Sequence, residues 1–317
     1  MNRGYGYIAI ALFFFGTFEV VLKFIAGQIN PIQLTFTRFF LGFLVLLPMA
    51  ISTLKKRGKR LDGKTMGYFA FLGLIGIAIC MPMYQLSVAY LDSAVVAVLF
   101  SCNPVFVTFL AFLILGEPVR GRHIVALILE VLGTIAIINP LETKLNVLGV
   151  VLILTATVLF SFYGVMGKRK VAELGGPVVT CFGSFFGSMI MLLLILVTHI
   201  PAVADAIIQA GLPSFANIPI VEGYTLDNLP FVLYVSAGVA GLGFCAYFMA
   251  MEYQPASVVS LVYFFKPALS PILAWAVHGE SIPMNMLLGI CLIVVGSCFA
   301  IVPGVLESKR GMVFQRF

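Results

Sequence analysis

The stretch LFSCNPVFVTFLAFLILGEP, residues 99–118, decides the fold because a similar stretch, VYFFKPALSPILAWAVHGES, occupies residues 262–281. In both, a proline is followed thirteen residues later by the glutamate of a Gly-Glu pair. The similarity continues without a gap along residues 84–140 and 247–303. Proline, glycine, glutamate and tyrosine that recur at a constant offset of 163 residues indicate an internal repeat.

The composition of the 317-residue chain excludes a soluble protein. Hydrophobic residues make up 61% of the chain, charged residues 10%, and the mean hydropathy is +1.10. Soluble globular domains carry roughly 25% charged residues. So few charges cannot cover a water-exposed surface, and so much apolar sequence excludes disorder. The six cysteines all lie inside apolar runs, which favours small packed residues over a disulfide framework.

Ten apolar stretches are long enough to cross a bilayer, for which a helix needs about 20 residues. They lack the alternation of period two that is typical of membrane β-strands. The predicted spans are residues 5–27, 31–51, 67–90, 93–115, 122–139, 147–166, 177–199, 229–252, 256–277 and 284–303.

The distribution of lysine and arginine predicts the orientation of these spans. With the N-terminus in the cytoplasm, fifteen of the 19 basic residues lie on the cytoplasmic side, Lys144 lies outside and three lie within spans. The formal charge of +6 is therefore an orientation signal, and no nucleic-acid partner is expected. The segment KKRGKR, residues 55–60, could bind anionic lipid.

The fold class predicted is all-α integral membrane, with ten transmembrane helices as a 5+5 inverted-topology repeat and both termini cytoplasmic. Residues 1–140 form the first repeat with spans 1–5. Residues 141–317 form the second with spans 6–10 and a cytoplasmic tail, residues 304–317. Because each half has an odd number of spans, the second half lies in the membrane in the opposite orientation to the first. A pseudo-two-fold axis in the membrane plane relates the two halves, and such an arrangement can open a central site first to one side and then to the other. The repeat therefore predicts a transporter.

These features together resemble the EamA branch of the drug/metabolite transporter superfamily along nearly the whole chain. The residues that carry the resemblance are Gly16, Phe18, Lys23, Arg38-Phe39, Asn103-Pro104-Val105-Phe106, Leu115-Gly116-Glu117, Lys266-Pro267-Ala268-Leu269 and Gly279-Glu280. Two departures are Phe15, where tryptophan is frequent, and His278, where leucine is usual. The resemblance implies a central cavity lined by spans 1, 3, 4, 6, 8 and 9, with spans 5 and 10 bracing the outside. It also implies export of amino acids and other small metabolites.

Charged residues inside the spans are the main candidates for a functional site, since each costs about 2.5–3.5 kcal/mol at the bilayer centre. Counting residues from the span ends places five polar side chains in one layer near the midplane: Glu19, Arg38, Asn103, Glu130 and Lys266. They must pair with one another, with water or with substrate.

Lys266 is the sharpest of these candidates. Pro267 and Pro271 each remove a backbone donor, so span 9 is predicted to kink beside the ammonium group. Lys266 could bind a substrate carboxylate or phosphate, or it could be the structural partner of Glu19 or Glu130.

The remaining candidates serve as charge balance, lining or gates. Glu19 could pair with Lys23 or Arg38, or carry a proton.

The predicted substrate-binding residues are Lys266, Asn103, Tyr84, Tyr247, Phe18 and Tyr263, although aromatic side chains are also expected in packed spans. Coupling or charge balance is assigned to Glu19, Arg38 and Glu130. The predicted gate or hinge residues are Glu117, Glu280, Pro104, Pro267 and Pro271. Gly183-x-x-x-Gly187 predicts close helix packing within one monomer rather than between two.

Several motifs are missing from the sequence. It contains no nucleotide-binding loop, no clustered histidines and no hydrolase motif, so no metal, no cofactor and no enzymatic activity are expected. Transport must then use a gradient or exchange.

The interpretation is a secondary transporter of small metabolites, favouring amino-acid efflux by alternating access across a bacterial inner membrane. The alternatives are an importer or exchanger of sugars or phosphorylated metabolites, and a passive channel. The expected partners are a small-molecule substrate, the lipid bilayer and protons as a candidate coupling ion, with the chain a monomer or weak dimer.

Overall fold

The computed structural model describes residues 3–91, 93–119, 121–138 and 146–264, and beyond them residues 272, 276, 284–285, 287–296 and 299. Every regular element in these residues is a helix. The helices are α1 Arg3–Phe24, α2 Pro31–Arg57, α3 Gly63–Gly73, α4 Cys80–Val88, α5 Ser93–Phe100, α6 Asn103–Leu115, α7 Gly121–Ile138, α8 Val147–Leu174, α9 Gly176–Val197, α10 Pro201–Gln209, α11 Leu229–Leu233, α12 Phe244–Ala250 and α13 Ala256–Ser260.

Seven helical stretches in the described part are long and apolar enough to cross a membrane. They are Arg3–Phe24, Pro31–Arg57, Gly63–Val88, Val98–Leu115, Val147–Leu174, Gly176–Val197 and Leu229–Ala250. Two shorter apolar helices, Ile124–Ile137 and Leu287–Gly296, lie where the fifth and tenth spans are predicted. The prediction of an all-helical, multi-pass membrane protein is confirmed for these residues, while the count of ten and the inverted repeat stay predictions.

Two helices extend beyond their predicted spans. Helix α2 continues to Arg57 and α8 to Leu174, about two turns past the apolar stretches that predicted them. The added residues are mostly good helix formers, and each helix stops only where glycine adopts a positive φ, at Gly58 (61°) and Gly175 (94°). The ends of both helices therefore place charged side chains together beyond the apolar segment.

The predicted span 93–115 is two helices rather than one. Pro104 has no backbone N–H to donate to the carbonyl of Phe100, so α5 ends at Phe100 and α6 begins at Asn103. Tighter turns bridge the break, with the N–H groups of Ser101 and Cys102 donating to the carbonyls of residues three positions earlier. This break puts Asn103 at the first position of a helix in the middle of the membrane-spanning segment.

Two further spans are interrupted by π-helical segments. One is Leu74–Ile79, between α3 and α4, and the other is Tyr234–Gly243, between α11 and α12. Subtracting the repeat offset of 163 from 234–243 gives 71–80, which contains the first segment. π-helical turns are rare and are frequently found at functional sites.

Close packing between helices depends on glycine. A Cβ on Gly73 would collide with the backbone nitrogen of Gly187 and lie 2.8 Å from the carbonyl oxygen of Gly183. The Gly183-x-x-x-Gly187 motif thus packs against α3 of the same chain, as predicted. A Cβ on Gly133 of α7 would lie 2.6 Å from the carbonyl oxygen of Gly289, so α7 packs equally closely on helix Leu287–Gly296.

The two ends of the helix bundle differ in chemistry. We call the end formed by the C-termini of α2 and α8 the basic face, because residues 55–60 and 168–170 gather there. We call the opposite end the capped face, because residues 198–228, including α10, lie against the start of α2. Helix α2, with 27 residues, spans the roughly 40 Å between these faces.

Candidate functional site

Six buried rings form a continuous cluster in the bundle interior, which we call the aromatic layer. Its members are Phe15, Phe100, Phe160, Phe244, Tyr247 and Tyr263, none more than 7% exposed. Phe15 stacks on Tyr263 with 5.4 Å between ring centroids, and Tyr247 meets Tyr263 edge to face at 5.6 Å. Phe160 contacts both Phe100, at 5.2 Å, and Tyr263, at 5.5 Å. The layer therefore joins α1, α5, α8, α12 and the segment that follows α13.

The contacts of the layer recur at repeat-related positions. The pair Phe15–Tyr263 corresponds to Phe160–Phe100. The stretch 13–23 resembles 157–168, which aligns Phe15 with Phe160, and Tyr263 lies 163 residues after Phe100. In the same way the pair Tyr247–Tyr263, at 5.6 Å, corresponds to Tyr84–Phe100, at 5.1 Å. The predicted lining residues Tyr84 and Tyr247 thus each contact an aromatic ring at equivalent positions of the repeat.

Asn103 lies beside this layer and is fully buried. Its Nδ2 donates to Ser161 Oγ at 2.6 Å, which links the start of α6 to the middle of α8. Its Oδ1 finds no hydrogen-bond partner among the described residues, and neither do the hydroxyls of Tyr163 and Tyr263. Asn103 Oδ1 and these two hydroxyls are thus buried polar atoms at the aromatic layer that a polar group of a ligand could pair with.

Arg38, on α2, is also buried. Its guanidinium lies 4.8 Å from the ring centroid of Phe18 and 4.9 Å from that of Phe39, within range of cation–π attraction. One of its nitrogens also lies 3.5 Å from Met81 Sδ. The structure thus brings together Arg38 and Phe18, two residues predicted for separate roles.

At the basic face, Glu117 connects three segments. Its carboxylate accepts a hydrogen bond from the ammonium of Lys168 and from the backbone N–H of Ala256, at 2.9 Å, and of Ser257, at 3.4 Å. Lys168 also donates to the carbonyl of Gln254, at 2.8 Å. A carboxylate at the N-terminus of α13 stabilises that helix start, because the helix dipole is positive there.

A second charged network lies at the same face. The guanidinium of Arg57 donates to Glu252 Oε2 at 2.7 Å and to the carbonyl of Ala172, at the end of α8, at 3.0 Å. The other oxygen of Glu252 accepts the backbone N–H of Gly176, at the start of α9, at 2.8 Å. The segment 252–257, which we call the 252–257 turn, is therefore held by two ion pairs.

The second network was not predicted from the sequence. Arg57 entered only as one of the orientation charges and as part of the basic segment 55–60, and Glu252 only as the end of a span. The available signal was a lone acid beside Pro255 in a turn that otherwise lacks charge.

At the capped face the contacts are neutral. The hydroxyls of Tyr224 and Thr37 lie 2.5 Å apart, and Gln33 Nε2 donates to the carbonyl of Glu222 at 2.8 Å. Burial raises the pKa of Tyr224, an effect that the hydrogen bond with Thr37 opposes in part. Gly223, with φ of 84°, lies so near the carbonyl of Gln28 that a Cβ would collide with it.

Comparison with known proteins decides the family. The model of the EamA-like transporter family matches residues 2–139 and again residues 147–302. The chain belongs to this family. The resemblance stated from the sequence is thereby confirmed, and the protein is a membrane transporter.

Relatives of this EamA-like transporter carry similar descriptions. An uncharacterized transporter of Clostridium kluyveri is 33% identical over 305 residues, covering 94% of this chain and 92% of its own. The uncharacterized transporter YyaM of Bacillus subtilis is 25% identical, covering 91% and 90%. Protein PecM of Dickeya dadantii is 24% identical, covering 70% and 69%. A crystal structure at 18% identity superposes with a TM-score of 0.72 over 94% of this chain and 97% of its own, which shows a shared fold.

The remaining predicted residues of this transporter are described only in part. Glu19 and Glu130 lie on α1 and α7, but their side chains fall outside the described residues. Lys266, Pro267, Pro271 and Glu280 lie outside the described residues altogether. Within the part of the chain that is described, no three histidine, cysteine, aspartate or glutamate side chains come close enough to bind a metal ion.

Proposed function

We propose that this EamA-like transporter is a secondary carrier that moves small polar metabolites by alternating access, with amino-acid efflux across the cell membrane as its favoured activity. Ten spans in a 5+5 inverted repeat, with both termini in the cytoplasm, form its architecture. Lys266 binds the anionic group of the substrate and Glu19 balances charge or carries a proton, with Arg38 and Glu130 as further charge partners.

The observation that carries the proposal is the repeat-related arrangement in the bundle interior. Two sets of aromatic pairs and two π-helical segments occupy equivalent positions in the two halves. Two halves with equivalent contacts can exchange conformations, which is the property that alternating access needs. A passive channel has no such need, and it conducts without saturating.

The gates in this proposal are the ends of the spans. Glu117 ties the first half to Lys168 and to the start of α13, both in the second half. Releasing these contacts would free the 252–257 turn to move at the basic face. Glu280, the repeat partner of Glu117, is proposed for the same role at the opposite face, with Pro104, Pro267 and Pro271 as hinges.

Counterflow in proteoliposomes tests the function without knowledge of the coupling ion. Proteoliposomes that contain the purified protein are loaded with one unlabelled amino acid, and uptake of the same amino acid in labelled form is followed. The measurement is repeated for a panel of amino acids. We expect saturable exchange in the wild type and at least tenfold slower exchange in Lys266→Ala, since a charged hydrogen bond is worth about 1.5–3 kcal/mol.

The matched control is Lys64→Ala, which removes an exposed lysine at the start of α3 and leaves exchange unchanged. Absence of exchange for every amino acid, with exchange of phosphorylated sugars instead, would contradict amino-acid efflux. A flux that rises linearly with concentration would contradict a carrier.

A further inference from the structure

The orientation of the Asn103 amide follows from counting the protons around Ser161. The Ser161 hydroxyl carries one proton and lies 2.7 Å from the carbonyl oxygen of Thr157 and 3.3 Å from that of Asn103. Two oxygens 2.7 Å apart require a proton between them, and a carbonyl oxygen has none, so the Ser161 proton is directed to the carbonyl of Thr157. The Ser161 oxygen must therefore accept at its 2.6 Å contact with the Asn103 side chain.

This fixes which end of the amide is free. Only the Nδ2 end of Asn103 can donate to Ser161, because a reversed amide would set two acceptor oxygens against each other at hydrogen-bond distance. Oδ1 is consequently the end that points away from Ser161, and it has no partner among the described residues. The local structure therefore offers a buried acceptor without a donor.

The groups around this acceptor favour positive charge. Asn103 lies one helical turn after Phe100, and its partner Ser161 follows Phe160 directly. These two rings and Tyr263 form mutual contacts of 5.2–6.4 Å between centroids. The faces of aromatic rings are electron-rich and attract cations, most strongly where water is excluded. A carboxylate or phosphate would meet repulsion from Oδ1, which can only accept hydrogen bonds.

We propose that Asn103 Oδ1, with the rings of Phe100, Phe160 and Tyr263, binds the ammonium group of the substrate. This inference rests on the proposed function and deepens it, because it assigns to the first repeat the part of the substrate that donates hydrogen bonds. The transported compounds are then amino acids or other amines, and the anionic group binds elsewhere. Ser161 is a positioning residue that holds the amide in the orientation the ammonium requires.

Competition in the counterflow assay tests this assignment. Exchange of labelled leucine is measured in the presence of unlabelled leucine or of its des-amino analogue 4-methylpentanoate as competitor. Exchange of labelled phenylalanine is measured in the same way with phenylalanine or 3-phenylpropanoate. In the wild type, the amino acid should inhibit at a concentration at least tenfold lower than the analogue, since a hydrogen bond to a charged group is at stake. Asn103→Leu, close in size but apolar, should abolish that preference.

Two further variants separate binding from folding. Ser161→Ala keeps the Asn103 amide but frees it to rotate, so the preference for the amino acid should fall several-fold while exchange persists. Thr108→Val changes another buried polar side chain of α6 and should leave the preference unaltered. If Asn103→Leu does not fold, Ser161→Ala still decides the outcome.

The outcomes distinguish the inference from the function on which it rests. Exchange of amino acids that the des-amino analogues inhibit equally well would overturn the ammonium site and leave the carrier in place. An unchanged preference in both Asn103→Leu and Ser161→Ala would also overturn it. Absence of exchange for any amino acid would overturn the proposed function together with this site.

Discussion

The basic face and the capped face are closed by different chemistry. At the basic face, two ion pairs hold the 252–257 turn, and each carboxylate also accepts backbone N–H groups at a helix start. At the capped face, residues 213–228 are held to the α1–α2 connection and to the start of α2 by neutral hydrogen bonds and by close backbone contact. Charged contacts are strong when formed, costly when half broken and sensitive to salt, whereas neutral contacts are weaker and insensitive.

The ion pairs of the basic face join residues of the first half, Arg57 and Glu117, to residues of the second, Glu252 and Lys168. The segment that covers the capped face belongs to the second half and is held to the first half by neutral contacts. The following three predictions test this contrast, and each concerns a change at one face only.

The largest effect is expected at Glu117. Replacing Glu117 by alanine leaves the ammonium of Lys168 without its carboxylate, and the side chain of Lys168 is only 18% exposed. It also uncaps α13. We expect a loss of about 3 kcal/mol in the free energy of unfolding, measured by titrating SDS into mixed micelles.

The control is Glu173→Ala, which breaks exposed pairs with Lys59 and Lys170 and should cost about 0.5 kcal/mol or less. Salt screens exposed pairs much more than buried ones, so the difference between the two variants should persist at high salt. An equal loss of unfolding free energy in both variants would show that the burial of the Glu117–Lys168 pair does not make it stronger than the exposed pairs of Glu173.

A smaller effect is expected at Arg57. Its planar group reaches Glu252 with one nitrogen and the end of α8 with another, a separation that the single nitrogen of a lysine spans less well. Arg57→Lys keeps the charge and should still lower the free energy of unfolding by about 1–2 kcal/mol in the same titration. Lys56→Arg, at an exposed neighbouring position, should leave it unchanged. An unchanged free energy of unfolding in Arg57→Lys would mean that charge alone holds the 252–257 turn.

The smallest effect is expected at the capped face. There, two glycine-to-alanine variants separate the cost of a steric clash from the cost of backbone strain. Gly223 and Gly211 have similar positive φ angles of 84° and 78°, but only Gly223 has a neighbour that a Cβ would strike. Both alanine variants suffer the same strain, so Gly223→Ala should be less stable than Gly211→Ala by about 1 kcal/mol. That difference should not depend on salt. Equal stability would show that residues 213–228 do not press on the α1–α2 connection.

Much of the architecture could be predicted because membrane insertion depends on local composition. The apolar stretches fixed the positions of the spans, and glycine pairs such as Gly183 and Gly187 predicted where helices pack closely. The extension of α2 to Arg57 escaped prediction, because a hydropathy pattern ends where charge begins but a helix continues until its backbone is stopped. The division of the fourth span at Asn103 was missed, although Pro104 carried the signal.

Part of the candidate site could also be predicted, for a related reason. Tyr84, Asn103, Tyr247 and Tyr263 were identified because they recur or because polar groups inside a span need partners, and the structure places all four in or beside the aromatic layer. Four phenylalanines complete the layer. Phe100, Phe160 and Phe244 look like any other apolar residue in a span, and Phe15 was noted only as a departure from a frequent tryptophan. Nothing local distinguishes a packed phenylalanine from one that lines a site.

The sequence by itself determined the membrane environment, the spans and the repeat, since each follows from residue types at fixed spacings along one chain. Only the tertiary structure decided the partners. It directed Glu117 to Lys168 and to the start of α13, paired Arg57 with Glu252 across 195 positions, and left Asn103 Oδ1 without a donor. The physical reason is that a hydrogen bond depends on distance and direction in space, which residues far apart in sequence acquire only when the helices pack.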